Sequence, residues 1–123
     1  MPGAWRTVNE SMSARSLAYQ TQITGRSGEA FVANGVRFDG FEAGAFLEAK
    51  GPGYATFVKN GEFRSWFTGK DALVSQVQRQ VAAANGTPII WHVAEAKAAD
   101  AMRALFATNK VKGITVVHTP VGP

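Results

Sequence analysis

Apolar residues recur with two spacings along the 123-residue chain, and each spacing predicts one kind of element. Alternation and short continuous apolar runs predict five strands, at residues 29–33, 36–41, 45–49, 88–94 and 114–118. Helical spacing predicts three helices: one capped by Asn9 or Ser11 and ended by Gly25, one over 69–85, and one over 96–108. Residues 1–9 have no periodic pattern and are expected to form a loose lead-in.

Turn residues join the first three strands into a meander. Asn34-Gly35 and Glu42-Ala43-Gly44 are hairpin signals, and Gly51-Pro52-Gly53 ends the third strand because proline cannot donate to a ladder. A helical connection follows the meander, which predicts a mixed sheet. The expected class is therefore α/β, with helices flanking the sheet in the order αβββαβαβ.

The register of the second hairpin decides which side chains meet. Counting back from a two-residue loop gives three facing pairs: Glu42 with Ala45, Asp39 with Glu48, and Arg37 with Lys50. Side chains then sort onto two faces, Asp39, Phe41, Phe46, Glu48 and Lys50 on one, and Val36, Phe38, Leu47 and Ala49 on the other. The second face is expected to pack against a helix.

Two carboxylates placed directly opposite each other require a cation, since facing like charges destabilise a strand pair. Lys50, two residues beyond Glu48, supplies part of that charge, and paired oxygen ligands also suit Mg²⁺ or Mn²⁺. A metal held by Asp39 and Glu48 with an ammonium beside its bound water can hydrolyse a phosphodiester. Two alternatives remain open: a cross-strand lattice of ion pairs, and a retaining glycosidase built on the two carboxylates.

Further polar and aromatic residues are weaker candidates. On a helical wheel Gln80 falls inside the buried stripe of the second predicted helix and Gln76 at its edge, so an inward amide must find partners. Residues 54–68 carry five aromatic side chains interleaved with Lys59 and Arg64, a mixture that suits core packing or nucleic-acid stacking, with Tyr54 the candidate substrate contact. His92 and His118 on the last two strands are expected to be structural.

Composition narrows the class without identifying a function. A net charge of +4 and a pI near 9.8 suit a polyanionic partner, and the absence of cysteine excludes disulfides and thiolate metal sites. No apolar run is long enough to span a membrane, and the N-terminus has no signal-peptide core. The chain is expected to form one domain, residues 1–123.

The arrangement of Asp39, Glu48 and Lys50 resembles the signature of the PD-(D/E)XK nuclease superfamily, with Phe38 standing where the motif has proline. Similarity to one group, the restriction-endonuclease-fold toxins, extends to residues 19–25, 34–41, 47–54, 91–92 and 117–120. The resemblance implies a restriction-endonuclease-like core. Proteins of this group form C-terminal domains of bacterial polymorphic toxins and type VI secretion effectors.

What the resemblance implies is a magnesium-dependent nuclease toxin that degrades nucleic acid, with DNA favoured over RNA. Such a toxin is secreted, enters the cytoplasm of competing bacteria, and is blocked in the producer by an immunity protein. Asp39, Glu48 and Lys50 take the catalytic positions, with the two acids as metal ligands, and Gln80 or Gln76 supports them. Arg37 is a further candidate substrate contact. A third acidic ligand, if present, is Glu10 or Glu29. The alternative is a catalytically silent binding module on the same fold.

Overall fold

The computed structural model describes residues 3–123, so Met1 and Pro2 of the expected lead-in lie outside the described part. The strands are β1 Ala4–Thr7, β2 Glu29–Ala33, β3 Val36–Phe38, β4 Gly40–Glu42, β5 Ala45–Lys50, β6 Val58–Lys59, β7 Glu62–Phe63, β8 Ile89–Val93 and β9 Ile114–His118. The helices are α1 Ala14–Thr24, α2 Gly69–Ala84 and α3 Ala96–Thr108, with a 3₁₀ turn at Tyr54–Phe57. The mixed α/β class is confirmed, but the chain has more strands than the five that were predicted.

An antiparallel sheet of β1, β2 and β3 forms the N-terminal part of the fold. The expected loose lead-in is wrong over residues 4–7, because β1 pairs with β2 along its whole length. Trp5 holds this strand in place. Its ring packs edge-on against Phe31 at 5.4 Å, and the Arg26 guanidinium lies 3.9 Å from its centroid. A four-residue strand is too short for its alternation to be recognised in sequence.

The predicted second strand, residues 36–41, is broken at Asp39 and serves two sheets. β3 pairs with β2, whereas β4 pairs with β5 in the register Glu42 with Ala45. The two-residue loops are confirmed, with positive φ at Asn34 and Gly35 and again at Ala43 and Gly44. Gly40 is needed where the strand crosses between sheets, since a Cβ there would lie 3.0 Å from Thr24 of α1.

A second sheet, in the order β4-β5-β8-β9, forms the centre of the domain. β4 is antiparallel to β5, and β5, β8 and β9 are parallel, with α2 and α3 as crossover helices. The apolar run predicted as a central strand is confirmed, because Ile89, Trp91 and Val93 of β8 are fully buried. This sheet fixes the position of Glu48 and Lys50, which lie on β5 beside β8.

The predicted sorting of side chains around the second hairpin is partly wrong. Phe38 and Phe46, expected on opposite faces, stack at 4.0 Å in the core because the strand switches sheets between them. Arg37 does not face Lys50 and instead pairs with Val32 of β2. The face that carries Glu48 and Lys50 is also buried, not open.

The helices start and end close to the predicted residues, but three details differ. Ser13, not Asn9 or Ser11, caps α1, and its hydroxyl accepts a hydrogen bond from the Ser16 N–H at 3.2 Å. The helical spacing of Ala14, Leu17, Ala18 and Thr21 predicts that they form the buried side of α1, but all four are exposed, and Tyr19 and Gln20 are buried instead. The sequence from Thr68 to Asp71 predicts a capping box at the start of α2, but the Thr68 side chain forms no capping hydrogen bond there.

Aromatic side chains of residues 54–68 mostly pack together, as expected. Phe57 stacks on Phe67 at 4.3 Å, and Phe63 lies 5.2 Å from the same ring. Trp66 is the exception, with 62% of its surface exposed. Within residues 3–123 no helix has the length and apolarity to cross a bilayer.

Candidate active site

Glu48 and Lys50 lie two residues apart on β5, so they project from the same side of the strand. Both are buried, with 6% and 9% of their surface exposed. The Lys50 Nζ lies 3.3 Å from the Glu48 Oε2, and it also sits 4.7 Å from the centroid of the Trp91 ring. The core therefore holds an ion pair on the central strand of the domain.

Asp39 reaches β5 through the break between β3 and β4. Continuing the hairpin ladder would pair Ala49 with Phe38, but the ladder ends at Gly40 with Leu47. The Ala49 N–H donates to the Asp39 Oδ2 at 2.8 Å instead. A carboxylate thus takes the place of a main-chain carbonyl, and the strand break brings Asp39 to the edge of β5 next to Glu48. The expected meeting of these residues is found, although they do not form a ladder pair.

The ionisation of Asp39 is strongly perturbed. Burial and then the neighbouring charge of Glu48 raise the pKa of Asp39 to about 8, outweighing the Ala49 N–H and the Lys50 ammonium, which lower it. Asp39 therefore holds a proton near neutral pH even with the Lys50 ammonium beside it, and a divalent cation bound to the two acids would lower its pKa.

Lys50 remains an ammonium despite its burial. Desolvation lowers its pKa, but the charges of Glu48, Tyr54 and Asp39 raise it more, and the net pKa lies above the ordinary value for lysine. A lysine in this state donates hydrogen bonds and stabilises negative charge. It does not act as a general base.

Two glutamines of α2 hold the carboxylate of Glu48. Gln76 Nε2 donates to Glu48 Oε2 at 2.9 Å, and Gln80 Nε2 donates to Glu48 Oε1 at 3.0 Å. Each amide is oriented by a group that can only donate: Lys50 Nζ donates to Gln76 Oε1 at 2.7 Å, and Trp91 Nε1 donates to Gln80 Oε1 at 2.8 Å. Both oxygens of Glu48 are therefore held in fixed positions.

The inward position of Gln80 was predictable from the helical wheel, and the structure leaves none of its surface exposed. Trp91 is a member of the network that the sequence did not reveal. Its N–H lies on the neighbouring parallel strand, and the apolar run around it predicts only a buried position. A buried indole N–H needs a hydrogen-bond acceptor, and this requirement was the one signal in the sequence that Trp91 would contact a polar group.

A cavity of about 180 Å³ opens beside these groups. Its lining includes Glu10, Gln20, Asp39, Glu48, Lys50 and Tyr54. A larger surface cleft of about 610 Å³ lies between α2, α3 and β7, but it contains none of the buried ionised groups. The smaller cavity is where the perturbed groups converge, and for this reason it is the candidate active site.

The remaining candidates are distributed around this cavity or away from it. Tyr54 lines it, whereas Arg37 is exposed and binds Glu10 at 3.2 Å. Of the two possible acidic ligands, Glu10 lines the cavity and Glu29 pairs with Arg26 at 3.2 Å on β2.

The two histidines lie apart from the cavity. His92 Nδ1 is 2.9 Å from the Thr119 hydroxyl, and burial lowers the pKa of its ring. His118 ends β9 and is exposed. Neither lines the space beside Asp39 and Glu48.

The donor set fits a hard divalent cation. In the part of the chain described, residues 3–123, no cluster of three or more histidine or acidic side chains is placed to hold a metal. Asp39 and Glu48 nevertheless line one cavity, and burial together with the neighbouring charge of Glu48 raises the pKa of Asp39, so a cation bound there would be favoured by both carboxylates. Asp39 and Glu48 are the residues that could hold Mg²⁺ or Mn²⁺.

Comparison with known proteins gives an independent result. The family described as "Restriction endonuclease fold toxin 5" matches residues 16–96, which is two thirds of the chain and contains most of α1 and all of the strand break, β5, α2 and β8. No curated protein is significantly similar to the chain. Membership indicates a nuclease toxin, and the mixed α/β architecture agrees with it. The chain belongs to the restriction endonuclease fold toxin 5 family and is a PD-(D/E)XK-like toxin domain.

Proposed function

We propose that this domain is a divalent-metal-dependent nuclease toxin that hydrolyses phosphodiester bonds, with Asp39, Glu48 and Lys50 as its catalytic residues. The observation that carries the proposal is the convergence of two carboxylates and a buried ammonium on one small cavity. Asp39 and Glu48 would hold Mg²⁺ or Mn²⁺. When bound, the metal supplies a water of lowered pKa and neutralises charge on the phosphate.

Each residue of the site has a separable task. Lys50, fixed as an ammonium by Glu48 and Tyr54, donates to a phosphate oxygen or to the attacking water and so stabilises the negative charge that develops during hydrolysis. Gln76 and Gln80 hold both oxygens of Glu48 and so prevent its rotation.

The substrate proposed is nucleic acid, with DNA preferred to RNA. The net charge of +4 favours a polyanion, and Tyr54 at the rim of the cavity can stack on a base. Arg37 is proposed as a phosphate contact outside the cavity, since 61% of its side chain is exposed despite its bond to Glu10. Delivery by a type VI or related secretion system into the cytoplasm of competing bacteria, and inhibition by an immunity protein, are proposed from the family alone.

Substrate class is tested with a panel of plasmid DNA, single-stranded DNA, RNA and peptidoglycan, each incubated with the protein in Mg²⁺ or in EDTA. We expect cleavage of nucleic acid in Mg²⁺ only. Glu48→Gln should reduce the rate by at least about 100-fold, as expected for loss of a metal-holding group, and should also remove toxicity on expression in bacteria.

The matched control is Asp100→Asn, which removes an exposed carboxylate paired with Arg103 and should leave cleavage unchanged. Cleavage of nucleic acid by Glu48→Gln at the wild-type rate would contradict the assignment. Full activity in EDTA would show that cleavage does not require a divalent metal. Binding of nucleic acid with no cleavage under any condition would favour the silent binding module.

A further inference from the structure

Trp66 is the most exposed large apolar side chain within residues 3–123, with 62% of its surface open to solvent. It lies outside the cavity, in the connection between β7 and α2. The other two tryptophans differ from it, because Trp91 is fully buried and Trp5 packs against Phe31. An indole left in water forgoes the stabilisation that its burial would give, so the fold itself does not account for this position.

The support of the exposed ring is well ordered. The Arg64 N–H donates to the Phe57 carbonyl at 2.8 Å, and the Phe67 N–H donates to the Arg64 carbonyl at 3.0 Å. Phe57 stacks on Phe67 at 4.3 Å and meets the Trp66 ring edge-on at 6.0 Å. Because the ring is held by a packed support, a ligand that binds it does not have to order a loose loop.

The same aromatic support links Trp66 to the candidate active site. Tyr54, which lines the cavity, and Phe57 are the first and last residues of one 3₁₀ turn. Their main-chain atoms lie about 6 Å apart along this turn, since it rises about 2 Å per residue. Glu95, just before α3, holds the start of the turn by accepting two main-chain N–H groups, each at 3.0 Å. A strand that runs past Tyr54 would therefore reach Trp66 within a few nucleotides.

The charges near Trp66 suit a phosphate. The Arg64 guanidinium lies 6.0 Å from the Trp66 ring centroid. Lys59 is exposed on the β6-β7 hairpin, where its strand partner is Glu62. The salt bridges found within residues 3–123 involve neither Arg64 nor Lys59. An exposed aromatic face with basic groups beside it is the combination that binds single-stranded nucleic acid, because the ring stacks on a base and the cation contacts the backbone.

We infer that Trp66 and Arg64 form a binding surface for an unpaired base of the nucleic-acid substrate and for its phosphate. The inference rests on the proposed nuclease function and deepens it. The bases of a duplex are stacked on one another and present no face to an indole, so the domain should bind single strands more tightly than duplex. A ring that can stack on every base gives little sequence preference.

Binding can be measured without cleavage. Fluorescence anisotropy in EDTA follows a labelled oligothymidylate strand of about 15 nucleotides, close to the largest site size of single-strand-binding domains, and a duplex of equal length. We expect Trp66→Ala to bind the strand at least about 5-fold more weakly than wild type, the lower end of what loss of one base stack produces, and to bind the duplex unchanged. Wild-type affinity of Trp66→Ala for the strand would overturn the inference and would favour a protein partner for this ring.

Two further variants separate stacking from apolar contact. Trp66→Phe and Trp66→Leu both keep an apolar side chain beside Phe57, but only Trp66→Phe keeps a flat ring. Trp66→Phe should stay within about 3-fold of wild type, because it can still stack, and Trp66→Leu should be as weak as Trp66→Ala. Equal affinities of the Phe and Leu variants would overturn the inference even if Trp66→Ala does not fold. Val121→Ala, at the next most exposed large apolar residue, is the matched control and should bind as wild type does.

The contribution of Arg64 is measured by salt dependence. Loss of one phosphate contact to a single strand reduces the slope of log affinity against log salt concentration by about 0.7. Arg64→Ala should show this reduction, whereas Trp66→Ala should keep the wild-type slope because stacking releases no counterion. An unchanged slope in Arg64→Ala would contradict the phosphate contact.

Failure of this inference can be distinguished from failure of the proposed function. If wild type cleaves nucleic acid in Mg²⁺ and the Trp66 variants bind and cleave as wild type does, the nuclease proposal stands and this surface is not part of it. If wild type binds single strands through Trp66 but cleaves under no condition, the surface stands and the nuclease proposal is overturned.

Discussion

The two walls of the cavity differ in how far their polar groups are satisfied. By the α2 wall we mean Glu48 and Lys50 of β5, which line the cavity, together with Gln76 and Gln80 of α2, which hold Glu48 from behind. These residues form a closed network in which both oxygens of Glu48 accept amide N–H groups. By the α1 wall we mean the cavity residues Glu10, Gln20 of α1 and Asp39, where the Asp39 carboxylate accepts one hydrogen bond, from the Ala49 N–H.

This difference indicates a division of labour. The α2 wall is built to stay in one arrangement, because a buried network that is fully satisfied is rigid. The Asp39 carboxylate of the α1 wall has fewer donors, and burial and then the charge of Glu48 raise its pKa. We expect a cation entering the cavity to bind the Asp39 carboxylate of the α1 wall and the Glu48 carboxylate that the α2 wall holds in place.

The largest effect on stability is expected from breaking the α2 wall at Gln80. Gln80→Leu leaves the Trp91 N–H without an acceptor and one oxygen of buried Glu48 without a donor. Since each unsatisfied buried group costs about 1–3 kcal/mol, we expect the free energy of unfolding to fall by about 3 kcal/mol. Urea denaturation of wild type and Gln80→Leu measures this change in the free energy of unfolding.

Gln78→Leu, on an exposed position of the same helix, is the control for this change. Its free energy of unfolding should stay within about 0.5 kcal/mol of wild type. If Gln80→Leu is as stable as Gln78→Leu, the α2 wall is not the rigid network that its hydrogen bonds indicate.

A pH-dependent effect is expected from the α1 wall at Asp39. Folding raises the pKa of Asp39 to about 8 from an unfolded value near 4, so the folded state holds a proton that the unfolded chain has lost. This contribution to stability is fully present below about pH 4 and is lost as the pH rises toward 8. Asp39→Asn removes it.

Urea denaturation in EDTA at pH 4.5 and pH 9 tests the sign of this effect. From pH 4.5 to pH 9 the free energy of unfolding of Asp39→Asn should rise relative to that of wild type by at least about 1.4 kcal/mol, the equivalent of one pKa unit. Asp100→Asn, at an exposed site, should show no such change. The same difference from wild type at both pH values would show that the pKa of Asp39 is not raised.

The smallest effect is expected at the outer rim of the α1 wall. Arg37 and Glu10 form an exposed ion pair at 3.2 Å, and such pairs contribute about 0.2–1 kcal/mol. Arg37→Ala should therefore lower the free energy of unfolding by less than about 1 kcal/mol. If Arg37 contacts phosphate, the same variant weakens binding of nucleic acid and reduces the dependence of that binding on salt. Stability loss with unchanged nucleic-acid binding would make the residue structural.

The contrast between the walls also explains which parts of the site could be predicted. Gln80 and Gln76 lie on a helix whose period is regular, so their inward position follows from the sequence of α2 alone. Glu48 and Lys50 lie on one continuous strand, and period two places them on the same side. The α2 wall therefore depends on local geometry, except for the partner Trp91 on β8.

The α1 wall depends on contacts that are distant in sequence, and here the predictions were less accurate. Nothing in the alternating pattern of residues 36–41 shows that the strand leaves one sheet for another at Asp39. The prediction of which side of α1 is buried was wrong. Tyr19 and Gln20 are buried by tertiary packing, whereas the apolar residues Ala14, Leu17 and Ala18 are exposed. A polar residue turned toward a cavity cannot be recognised from periodicity.

The most direct test of the central claim is cleavage of supercoiled plasmid by wild type and Lys50→Ala across a series of Mg²⁺ concentrations. Lys112→Ala is the control, because Lys112 is exposed and does not line the cavity. We expect wild type and Lys112→Ala to cleave only when Mg²⁺ is present, and Lys50→Ala to leave the plasmid intact at every concentration while retaining a cooperative thermal transition. Cleavage by Lys50→Ala at the wild-type rate would contradict the account.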